Sequence, residues 1–158
     1  MLFPFFQWCE ATTIGTAIGS SPWAFAVIES VHLLGLSVIG GAVLLVDLRL
    51  LGFGLTNQRI ADVARAAFPW LVGSLAVMLL TGFGLFLSEP TKCYNSDAFW
   101  VKMTSLSLAI LFTFTIRRRV TMADEQRVRP MWFKLVALVS LALWLGVGAG
   151  GRWIGFSV

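Results

Sequence analysis

A glutamate, the chain's only histidine and an aspartate stand in one apolar run, "ESVHLLGLSVIGGAVLLVDLR", residues 29–49. A helix turning 100° per residue places Glu29, His32, Leu36, Gly40, Val43 and Asp47 in one stripe. An imidazole near a carboxylate can hold a proton, a small ligand or a metal ion. Lys102 and Arg152 also stand about one turn inside apolar runs. An ionised side chain facing lipid at mid-depth costs about 2.5 to 3.5 kcal/mol even on lenient insertion scales. Glu29, His32, Lys102 and Arg152 are therefore expected to face a bundle interior and form a ligand or proton site. The plainer alternative is interhelical hydrogen bonding, with Lys102 and Arg152 snorkelling to the surface. His32 is also the one candidate metal or haem ligand. Asp47 and Arg49, at the end of the run, are expected to form an interfacial polar pair. Hydrolytic catalysis is not expected, because no serine or cysteine nucleophile matches the single histidine with an orienting acid.

The elements that must position these residues follow from composition. With 58% hydrophobic and 13% charged residues and a mean hydropathy of +0.83, this chain of 158 residues is an integral membrane protein rather than a water-soluble one. Four apolar runs, about 23–46, 68–88, 98–116 and 131–156, approach or exceed the roughly 20 residues a membrane-crossing helix needs. No run alternates with period two, so an all-α four-helix membrane bundle forming one domain over 1–158 is expected. Ser21 and Pro22 open the first helix, Pro69 stands inside the start of the second, and Asp97 can cap the third.

Arg49, Arg59, Arg65, Arg117, Arg118, Arg119, Arg127, Arg129 and Lys134 gather on one side, against Lys92, Lys102 and Arg152 toward the other. The positive-inside rule places both termini outside a bacterial inner membrane. Trp8, Trp23, Trp100 and Trp153 against Trp70 and Trp132 fit the two aromatic belts of that topology. The basic residues set orientation, and no nucleic-acid partner is read into them. Residues 1–20 lack a basic n-region and read as an interfacial segment over the bundle rather than a signal peptide. Cys9 in that segment and Cys93 in "SEPTKCYN" share the oxidising side, making them a candidate disulfide.

The stretches "SPWAFAVIESVHLLGLSVIGGAVLLVDLRLLG", "FPWLVGSLAVMLLTGFGLFLSEPTKCYNSDAFWVKM" and "WLGVGAGGRW" resemble an uncharacterised family of bacterial inner-membrane proteins with four membrane helices. The likeness runs over nearly the whole chain and implies topology rather than activity. Helix one is more distantly similar to membrane proteins of the copper resistance protein D type. Members of the closer family often carry a histidine near the end of helix three, where this chain reads "LFTFTIRRR" with Arg117. That departure leaves a two-histidine haem without its second ligand.

Three functions follow as expectations. The first is a non-enzymatic membrane protein whose outward-facing polar pocket binds or passes a small ligand, ion or proton, as part of a larger assembly or homo-oligomer in the lipid bilayer. The second is a redox subunit in which His32 meets haem b, copper or a quinone. The third is a structural helper that docks a partner through its arginine-rich loop.

Overall fold

A computed structural model of the chain describes residues 3–123 and 129–154. The expected interfacial segment forms two short helices, α1 (Phe3–Glu10) and α2 (Thr13–Ser20). Thr12 joins them: its hydroxyl donates to the Cys9 carbonyl at 2.7 Å and accepts from the Gly15 amide at 3.2 Å. Helix α3 (Pro22–Leu51) opens as expected, with Ser21 capping the Ala24 amide and proline in the first turn. It closes on Gly52, whose φ of 89° lets Gly52 and Phe53 return amides to Arg49 and Leu48.

Helix α4 (Ile60–Ser88) starts well before the predicted residue 68. Ile60, Val63, Ala67 and Leu71 continue one buried stripe back through the basic segment, so packing extends the helix beyond its purely apolar stretch. Pro69 consequently stands inside α4 rather than at its start. After the single turn α5 (Pro90–Tyr94) comes the third span, made of α6 (Asp97–Phe112), a π-helical turn (Thr113–Arg117) and α7 (Arg118–Met122). Helix α8 (Pro130–Ile154) completes the fold. The last two residues of the predicted fourth span, 155 and 156, lie outside the described residues, as does Arg127 of the basic loop.

Among the described residues there is no strand, and four helical stretches of 30, 29, 26 and 25 residues are apolar enough to cross a membrane. At 1.5 Å per residue even the shortest exceeds the roughly 30 Å of hydrocarbon. This is the architecture of a multi-pass membrane protein. Chain direction puts Pro22, Ser88, Asp97 and Ile154 at one end of the bundle, hereafter the termini end. Leu51, Ile60, Met122 and Pro130 mark the other, the basic end.

Helix α3 packs on α4 and α8, α6 packs on α8, and α7 closes against α4. The apolar core therefore sits in the basic half, built from Ile39, Val43 and Val46 of α3, Val63 and Leu71 of α4, and Phe133 of α8. A separate aromatic cluster forms at the termini end, where the Phe6 ring meets Phe86 at 5.3 Å and Tyr94 at 5.1 Å between centroids. Through it α1 is held over α4 and α5. Large apolar side chains such as Trp23, Leu80, Leu111 and Leu145 point outward, as lipid-facing residues do.

Candidate functional site

Two polar centres lie inside the bundle, one in each half. In the termini half, His32 Nδ1 stands 2.8 Å from the Thr81 hydroxyl of α4. That hydroxyl lies 2.6 Å from the Val77 carbonyl, to which it donates its one proton. The imidazole therefore donates from Nδ1, and in its neutral form Nε2 carries an unshared lone pair. Gly82 makes room for the ring, since a Cβ there would stand 3.2 Å from His32 Cε1.

Lys102 of α6 comes toward the same centre. Its stem lies on two glycines of α8: a Cβ on Gly150 would meet Lys102 Cβ at 3.0 Å, and one on Gly151 would meet Nζ at 3.7 Å. Close approach of α6 and α8 at Gly146 and Gly150, spaced four apart, is the small-residue packing of membrane helices. Lys102 is half-buried and interacts electrostatically with His32 and with Cys93. Among the described residues it has neither a carboxylate partner nor a hydrogen bond.

Of the four residues expected to share this site, His32 is bonded to Thr81, which was not expected there, and Lys102 acts on His32 only electrostatically. Glu29 is exposed, without an ion pair among the described residues, and Arg152 is exposed at the end of α8. Glu29 and Asp47 lie five full turns apart and so point the same way from α3. Only Asp47 is buried, because the third span closes over that face in the basic half and leaves it open at the termini end.

The second centre corrects the expected pairing of Asp47 with Arg49. Asp47 is fully buried and accepts a 2.8 Å charge-assisted bond from Arg117 Nε, seventy residues away, while Arg117 Nη2 donates to the Val43 carbonyl at 3.1 Å. Arg49 instead donates to the Gln58 carbonyl at 2.8 Å. Ser140 of α8 faces the same carboxylate, and its hydroxyl and Asp47 Oδ2 are both buried without a well-formed hydrogen bond. Trp144 Nε1 donates to Thr113 at 3.2 Å. Thr113 and Arg117 bound the π turn, which adds a residue to the helical repeat and swings Arg117 inward among its loop-facing neighbours. A cavity of about 30 Å³ beside Arg117, bounded by Val46, Leu71, Thr113 and Thr121, has room for a water molecule.

Sequence reasoning missed Arg117 by ending the third span at residue 116 and counting three consecutive arginines as one loop. An aspartate late in an apolar run, which must find a partner, was the available signal. Ile39, Ala42, Val43, Leu71 and Leu75 fill the space between the two centres. His32 and Asp47 are about 22 Å apart along α3.

The candidate disulfide is not formed: Cys9 and Cys93 are both free thiols, buried on helices α1 and α5 that pack together. Burial pushes the Cys93 thiol above its usual range, with Glu89 adding to the rise and Lys102 and Lys92 opposing it. The folded protein thus holds the Cys93 proton more tightly than the unfolded chain. Its contribution to stability is full below the ordinary thiol range and is lost as pH rises through the native value. Alkylation of Cys93 by iodoacetamide is expected to be slow at neutral pH and to accelerate only well into the alkaline range; a rate at pH 7 equal to that of free cysteine would overturn this.

Donor chemistry does not favour a metal at His32, since among the described residues no three histidine, cysteine, aspartate or glutamate side chains converge. The charged side chain that acts electrostatically on His32 is a lysine rather than a second ligand. The family model described as "Family of unknown function (DUF6644)" matches residues 5–157. No curated protein and no solved structure matches the chain, and the likeness to copper resistance protein D gains no support there.

Proposed function

The chain belongs to DUF6644, a family of unknown function, and we propose that it is a small inner-membrane protein that binds a ligand at His32, Thr81 and Lys102. The positive-inside rule assigns the basic end to the cytoplasm, so the site opens toward the outer face and both termini lie outside. The observation that carries this reading is Lys102: a cation half-buried among apolar helices, acting electrostatically on His32, with no carboxylate partner among the described residues. Intramembrane cations are costly unless something meets them, and a ligand supplies what the protein does not.

Binding fits better than conduction, because the apolar core of the basic half separates the two polar centres. The loosely covered third span leaves most of its surface to lipid or to a partner, which suits a membrane subunit or a homo-oligomer. A second reading rests on the free Nε2, which could accept a hydrogen bond from a quinol or ligate haem or copper from one side.

Absorption spectra and metal analysis of the detergent-purified protein and of His32→Ala separate the two. The ligand-site reading expects a colourless, metal-free protein whose copurifying small molecules are lost in both His32→Ala and Lys102→Met. A Soret band or stoichiometric copper that disappears in His32→Ala would transfer the site to redox chemistry.

A further inference from the structure

We propose that the ligand of the His32–Lys102 site is an oxyanion, a phosphate or carboxylate group presented either by a lipid headgroup or by a soluble anion. The inference rests on the ligand-binding reading above and assigns its chemical class.

Three features converge on it. Lys102 offers three donors, no acceptor and a full positive charge, and it has no anionic partner among the described residues. Glu29, one turn from His32 on α3, is exposed. The Thr81 oxygen cannot neutralise the lysine, since it is held between His32 and Val77. A ligand bringing negative charge and at least two acceptor oxygens therefore completes the site. One oxygen takes the Lys102 ammonium. The other takes His32 Nε2, which must first acquire a proton, so that the imidazolium donates to Thr81 from Nδ1 and to the ligand from Nε2.

This protonation makes oxyanion binding proton-coupled. The imidazole is bonded to Thr81 of α4 and feels the charge of Lys102 of α6, with Glu29 exposed on its own helix. The Cys93 thiol stands beyond Lys102, and α8 contributes the uncharged Gly150 and Gly151. Protonation of His32 adds a charge that the anion needs. Affinity should rise as pH falls through the His32 titration.

Helices α3 and α6 share few contacts, and an approach to the site from the lipid as well as from the aqueous face is part of the proposal.

The test titrates the purified full-length protein with phosphatidylglycerol, phosphatidylcholine, inorganic phosphate and ubiquinone, read by native mass spectrometry and, for phosphate, by calorimetry. Wild type and Lys102→Arg should retain phosphatidylglycerol or phosphate at least tenfold better than Lys102→Met, with binding tightening at lower pH only while His32 is present. Competition by inorganic phosphate identifies the soluble anion as sufficient; retention of phosphatidylglycerol alone identifies the headgroup. Circular dichroism and gel filtration establish that each variant is folded. If Lys102→Met does not fold, the preference of wild type for phosphatidylglycerol over phosphatidylcholine and its loss in His32→Ala decide the matter. Equal retention of the two phospholipids without phosphate binding overturns the proposal. Retention of ubiquinone in place of the anions overturns the oxyanion class and keeps the ligand site; retention of none of the four probes, with no copurifying molecule, removes both.

Discussion

Arg117→Met should destabilise the folded protein by about 3 to 5 kcal/mol, because it leaves the Asp47 carboxylate buried without its counter-charge. Asp47 is fully enclosed, its Oδ1 is bonded to Arg117 and its Oδ2 has no well-formed partner. Asp47→Leu should cost a similar amount for the converse reason, stranding a guanidinium that also donates to the Val43 carbonyl. The double variant Asp47→Leu with Arg117→Met removes both charges and should recover most of the loss, since apolar replacements of a buried pair are often neutral. Denaturation of the four proteins in mixed micelles, arranged as a double-mutant cycle, measures the coupling directly. Strict additivity of the two single losses would show that the pair does not act as a unit. Loss confined to Arg117→Met would instead mark Arg117 as holding the π turn through Val43 rather than through Asp47.

Gly150→Leu should separate α6 from α8. A Cβ at this position would lie 3.0 Å from Lys102 Cβ, 3.2 Å from its Cα and 3.3 Å from the Ala98 carbonyl oxygen. Two of those three are backbone atoms, which cannot turn aside as a side chain can. The helices must move apart, at a cost of about 1 to 3 kcal/mol or more for an overpacked contact. Lys102 moves with α6, so the oxyanion affinity expected above should fall together with stability. Gly148→Leu is the control, because a Cβ there meets nothing within 4 Å. It should leave both properties within about 0.5 kcal/mol of wild type. Equal losses for the two variants would place the cause in glycine's backbone entropy rather than in the α6–α8 contact.

The sequence by itself determined that the chain is helical, crosses a membrane four times and gathers its positive charge at one end. Those properties depend on each segment's own composition and length: an apolar run must bond its backbone internally and span the hydrocarbon, whatever its neighbours are. It also marked His32, Asp47 and Lys102 as residues needing an explanation, through the cost of polar groups in lipid.

Tertiary structure alone decided who meets whom. Asp47 and Glu29 leave α3 in the same direction, yet one is sealed by the third span and the other is open, because α7 closes on α4 only at the basic end. Arg117 could not be distinguished from its neighbours Arg118 and Arg119 by composition; a π turn of five residues sets which of the three points inward. Thr81 has no role legible in its own segment and meets His32 only because α4 docks against α3. Partner choice depends on helix rotation, on which helices touch and on single-residue irregularities in the repeat, and none of these is a property of one segment taken alone.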